Sequence, residues 1–181
     1  MDIYKLKFTR LQNEIFRLLC IKAGTELNQR EIAKSLNVSP TAISKALKLL
    51  KKEKIVKIKK EYKINLSIIE LERENPKTME KKRAENLKMI YESGLADFLE
   101  NTLPGSTVVL FGSYSRGNDD SSSDIDIAII GRKEKDINLE EYEKLLEREI
   151  RLNFYENLKS VHKNLKENIC NGIVLSGGIE L

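Results

Sequence analysis

The chain has only one histidine and two cysteines among its 181 residues. Cys20 and Cys170 lie far apart in sequence, form no Cys-x-x-Cys pair and fall within apolar helical patterns. Both therefore read as reduced core residues, and a cysteine-built zinc site is excluded. His162 stands in a polar stretch of the last helix and reads as a surface side chain. No run approaches the roughly 18 consecutive apolar residues that a membrane span needs. The opening MDIYKLKFTR lacks the apolar core of an export signal. There is also no Walker-type phosphate loop and no internal repeat. What remains is a cytoplasmic globular protein without a membrane partner, 33% charged and 40% hydrophobic.

The net charge of +4 conceals an asymmetry. Residues 1–75 carry 17 Lys/Arg against 9 Asp/Glu, whereas residues 76–181 carry 15 against 19. A basic front and an acidic back point to two domains with different partners, 1–75 and 76–181, the first suited to a polyanion. Asn75-Pro76 marks the boundary, because a residue preceding proline avoids the helical region.

The front domain reads as three helices and a hairpin. Leu11, Ile15, Leu18, Leu19 and Ile21 trace a first helix ending near Ala23-Gly24. Asn28 and Glu31 have the spacing of a capping box for a second helix from Gln29 to Leu36. Ser39 caps a third, with Pro40 in its first turn. The outer face of that helix offers Thr41, Ser44, Lys45 and Lys48, short polar groups for base edges and ammonium groups for phosphates. Two strand-like runs follow, 55–60 and 62–66, with a turn expected around Lys60-Glu61. They make a basic wing carrying Lys57, Lys59 and Lys60. Residues 9–66 resemble the winged helix-turn-helix domains of prokaryotic regulators, which implies double-stranded DNA as partner and a homodimer on paired half-sites. Residues 67–75 read as a charged hand-over.

From Lys77 one amphipathic helix is expected to run to about Asn101, with Gly94 as a weak point. A buried strand, Thr107–Phe111, then enters Gly112-Ser113-Tyr114-Ser115-Arg116-Gly117. A strand leading into Gly-Ser and a short helix presents backbone N–H groups to an anion. Gly112 admits close approach, Ser113 adds a donor, and Arg116 can reach phosphate or a nearby carboxylate. Ten residues separate Ser113 from Asp124-Ile125-Asp126, which opens an apolar strand. Alternation puts both aspartates on one face, where oxygen ligands suit a divalent cation. Asp119 and Asp120, in the intervening loop, read as solvated.

This Gly-Ser…Asp-x-Asp arrangement, with a closing helix at 165–172 and a strand at 173–175, resembles the minimal nucleotidyltransferases of the DNA polymerase β superfamily. The resemblance implies a small α/β domain with a mixed sheet, hence an α+β protein as a whole. It also implies a nucleoside triphosphate (NTP) as substrate, two Mg²⁺ ions held by Asp124 and Asp126, and transfer of a nucleoside monophosphate to a hydroxyl. The family's third carboxylate belongs on the next strand, 149–155, where this chain has Arg151 instead. Glu149 is on the correct face as a substitute metal ligand, and Asn153 offers only a neutral oxygen. A guanidinium beside two metal-binding acids competes with a cation. Two functions therefore stay open: an active transferase, or a regulator whose altered transferase domain binds nucleotide or mediates assembly.

Overall fold

A computed structural model describes residues 7–61 and 66–179, which form two compact units, 1–78 and 79–181. In the first unit, α1 (Arg10–Ile21) is capped by Thr9 and Gln12, which bond reciprocally across the first turn. A two-residue strand β1 (Leu27–Asn28) precedes α2 (Gln29–Ser35), which begins with the expected box: Arg30 N–H donates to Asn28 at 2.8 Å and Asn28 N–H to Glu31 at 2.7 Å. Asn37 has φ 52°, a conformation asparagine tolerates, and turns the chain into α3 (Pro40–Lys52) under the Ser39 cap. Ile15, Leu19, Ile32, Ile43 and Leu50 from the three helices are at most 1% exposed and make the core with Ile55 and Ile69.

The wing differs from expectation. Strand β2 (Val56–Glu61) contains Lys60 and Glu61, so no turn lies there, and the returning strand β3 is Leu66–Leu71. The expected second strand, 62–66, falls largely outside the described residues, and the expected hand-over at 67–71 is the strand itself. Burial is the reason: Ile69 and Leu71 face the core opposite Ile58 and Val56. β1 joins on the far side of β3, giving the antiparallel order β1-β3-β2. The topology is a winged helix-turn-helix. Asn75 and Thr78 donate side-chain hydrogen bonds to the Lys54 carbonyl at 2.9 and 3.0 Å, tying this stretch to the first unit.

The expected single helix from Lys77 is two, α4 (Pro76–Glu92) and α5 (Leu95–Thr102). Gly94, at φ 77°, breaks them apart, a left-handed conformation that favours glycine. The second unit continues with β4 (Thr107–Phe111), α6 (Gly112–Arg116), β5 (Ile125–Ile130), α7 (Glu140–Leu146), β6 (Ile150–Tyr155), a 3₁₀ turn (Leu158–Ser160), α8 (Lys163–Cys170) and β7 (Ile173–Ser176). The sheet order is β6-β5-β4-β7; β5 and β6 are parallel and the other pairs antiparallel. The protein is thus α+β with a mixed four-stranded sheet. Val109, Phe111 and Ala128 pack with Ile169 of α8 on one face, and Val108, Leu110, Ile127 and Ile129 are fully buried on the other. Cys20 is buried as expected, whereas Cys170 is exposed at the end of α8. His162 is an exposed residue at the start of α8. No described helix is long and apolar enough to cross a membrane.

Candidate functional site

The Gly-Ser bend and the paired aspartates meet because β4 and β5 are antiparallel neighbours. Phe111, the last residue of β4, is in register with Asp126, so the chain leaving β4 at Gly112 passes directly over that carboxylate. Gly112 has φ 76°, and a Cβ there would lie 2.5 Å from Asp126 Oδ2. Glycine is favoured on both counts: the left-handed backbone suits it, and a Cβ would force the Asp126 carboxylate to move. Ile125 and Ile127 are fully buried while Asp126 is partly exposed, as strand alternation predicts.

The bend is anchored from behind by a buried polar cluster. Lys82 of α4 makes an ion pair with Asp119, and both side chains are fully buried. Asn86 donates to Asp119 at 2.7 Å and to the Tyr114 carbonyl at 2.9 Å, and Arg148 Nη2 lies 3.8 Å from Asp119 Oδ2. Asp119 is therefore not the solvated loop residue expected from sequence. It is an interior anion holding the loop between α6 and β5 against α4. Asp120 behaves differently: its carboxylate accepts from the amide and hydroxyl of Ser122, making a surface turn. Gly117, at φ 78°, sits so close to α4 that a Cβ would meet the Met79 carbonyl at 2.8 Å.

Electrostatics distinguish the two aspartates. Burial, and then the charge of Asp124, push the Asp126 carboxyl above the usual carboxylate range, against the lowering influence of Arg151 and Arg116. Asp124 has a direct counter-ion: Arg151 Nη1 is 2.8 Å from its Oδ2. The same guanidinium reaches Glu149 Oε1 through Nε at 3.1 Å. Arg151 lies beside Asp126 in the parallel β5–β6 register. Glu149, expected as the substitute metal ligand, is engaged with Arg151, and Asn153 donates to the Arg151 carbonyl. Arg116 donates to Asn168 of α8 at 2.6 Å, and its charge also acts on Asp126.

Among the described residues no group of three or more His, Cys, Asp or Glu side chains is placed to hold a metal ion. The donor set fits one divalent cation at Asp124 and Asp126, where two acids repel one another and Asp126 carries raised proton affinity. On β6 the residue beside Asp126 is Arg151, itself a cation. A depression of about 470 Å³, lined by Ser121, Ser122, Ser123, Arg148 and Glu149, borders Asp124. A larger cavity of about 980 Å³ lies at the opposite ends of the strands, around Ser106, Thr107, Gly131 and Gly177, and contains none of these site residues.

On the first unit, Thr41, Ser44, Lys45 and Lys48 are all exposed along one face of α3, and Lys57 and Lys60 are exposed on β2. Lys59 is not available in the same way. Its ammonium pairs with Glu70 at 2.6 Å and with Glu26 at 3.6 Å.

Residues 92–175 match the family model described as nucleotidyltransferase domain, which covers most of the second unit. Among solved structures, this chain is similar to the adhesin competence repressor AdcR from Streptococcus pyogenes (23% identity, TM-score 0.42, covering 53% of this chain and 68% of that one). It is also similar to a cysteine-to-serine mutant of ZitR from Lactococcus lactis (22%, TM-score 0.43, 56% and 66%). The transcriptional regulator BldR from Sulfolobus solfataricus matches at 17% and TM-score 0.39, over 54% and 66%. No curated protein matches the chain.

Proposed function

We propose that residues 1–75 bind duplex DNA while residues 76–181 bind a nucleoside triphosphate with Mg²⁺ and transfer its nucleoside monophosphate to a hydroxyl acceptor. The observation that carries this reading is the approach of Gly112 to Asp126, which brings a bare backbone bend against an acidic strand end. Phosphate oxygens suit the first and a divalent cation the second, and a triphosphate carries both together. In this reading Gly112 and Ser113 hold the outer phosphates and Arg116 adds positive charge beside them. Asp124 and Asp126 hold the cation, which when bound neutralises phosphate charge. Thr41 and Ser44 approach base edges, and Lys45, Lys48, Lys57 and Lys60 approach phosphates. A cytoplasmic homodimer, with one recognition helix per half-site, is the assembly that matches this use of α3.

A second reading has its own support. The Arg151–Asp124 ion pair favours a domain that retains the nucleotide without transferring any part of it, as a signal to the DNA-binding unit. Incubation with Mg²⁺ and α-labelled triphosphates separates the two. Label covalently transferred by the wild type and not by an Asp124→Ala/Asp126→Ala variant supports transfer. Label retained on the folded protein but never transferred supports the signal reading. Label neither retained nor transferred rejects both.

A further inference from the structure

The two readings above share one premise, that the Gly112–Asp126 site takes a triphosphate with Mg²⁺, and the inference here rests on it. We infer that Arg151 is a tethered positive charge standing where a second divalent cation would sit, so that the site loads one divalent ion per nucleotide. Three observations converge. Arg151 is set beside Asp126 by the parallel pairing of β5 with β6, a backbone relationship that does not depend on side-chain rotamer. Its guanidinium spans two acids, with Nη1 on Asp124 at 2.8 Å and Nε on Glu149 at 3.1 Å. Arg151 is also exposed, so its guanidinium stays open to an incoming anion.

A planar guanidinium bridging two carboxylates differs from a cation that merely drifts nearby. It pairs with Asp124 Oδ2, an oxygen that a metal would use, and its fork is preorganised for carboxylate and phosphate alike. It is also permanently charged, as a guanidinium is throughout the pH range in which proteins stay folded. A divalent ion at Asp126 can share Asp124 through its other oxygen, Oδ1. A second ion would have to displace Arg151 and then endure its charge at close range. Glu149 holds the guanidinium in place through Nε and is a positioning residue.

Manganese provides the count. Wild-type protein equilibrated with Mn²⁺ and a non-hydrolysable α,β-methylene triphosphate is passed through a desalting filter. Retained nucleotide is quantified by absorbance and protein-bound Mn²⁺ by electron paramagnetic resonance. One Mn²⁺ per retained nucleotide is expected, rising to two in Arg151→Asp, whose fold is checked by circular dichroism. Two ions per nucleotide in the wild type overturn the inference whatever the variant does, and so does an unchanged single ion in a folded Arg151→Asp. If the variant does not fold, the wild-type count decides. Absence of retained nucleotide in the wild type is a different failure: it removes the nucleotide reading itself, and this inference with it.

Discussion

Gly112 and Asp126 are so close that a side chain at position 112 would push the Asp126 carboxylate aside. A methyl group at position 112 would overlap Asp126 Oδ2 at 2.5 Å, and the φ of 76° already disfavours any L-residue. Gly112→Ala should therefore cost about 2–4 kcal/mol, combining strain at positive φ with overpacking. It should also abolish retention of the triphosphate, because the bend must shift away from the acid. Chemical denaturation and filter retention measure the two effects separately.

Asp126 is held above the ordinary carboxylate range, chiefly by burial and secondly by Asp124. The folded state therefore binds this proton more tightly than the unfolded chain does. The group's contribution to stability is fully present below its unfolded pKa and is lost as pH rises through the folded value. Asp126→Asn, which carries no charge, should be more stable than the wild type at neutral pH. The advantage should vanish on acidification into the carboxylate range, while Mn²⁺ binding is lost at every pH. Thermal melts from the acidic carboxylate range up to neutrality would show the crossing; a variant less stable at neutral pH would contradict it.

Lys82 and Asp119 form an ion pair with both side chains fully buried. Removing one partner leaves the other charge in the interior without this counter-ion, at a cost of about 3–5 kcal/mol. Asp119→Ala should be the worse lesion, because it removes the contacts with Asn86 and Arg148 as well as the ion pair. Lys82→Met leaves Asp119 with Asn86 and Arg148. The double variant should cost less than the two single losses added together, measured by urea unfolding.

On the first unit, Lys45 and Lys48 are exposed, whereas Lys59 is paired with Glu70 and Glu26. Lys45→Ala with Lys48→Ala should weaken duplex binding and flatten the slope of log K against log salt by about 1.8, two phosphate contacts' worth. Lys59→Ala should leave that slope nearly unchanged. A Lys59 effect equal to that of Lys45 would show that DNA displaces both glutamates.

What is legible in the sequence is largely local. The Asn28–Glu31 capping box, the Ser39 cap, and the Gly-Ser bend with its two aspartates each depend on residues close in the chain or on adjacent strands. The strand at 66–71 is hard to read because Ile68 and Ile69 are adjacent, which breaks the alternation that marks a strand. Burial of Ile69 and Leu71 is what makes it one. Asp119 is hidden for a different reason: its partner Lys82 is 37 positions away, on a helix whose buried face carries polar residues. The break at Gly94 does have a signal, since a glycine inside a long helical pattern also marks a place where a left-handed residue can end one helix and start another.

The unequal fates of the two thiols make a practical tool of the native chain. Cys20 is 1% exposed in the first unit, whereas Cys170 is open to solvent at the end of α8. A maleimide dye should therefore attach to the wild-type protein at a single place, without any engineered cysteine. That place is two residues from Asn168, the partner of Arg116. A fluorophore on this thiol would sit where the release of Arg116 toward an arriving phosphate could be watched in real time.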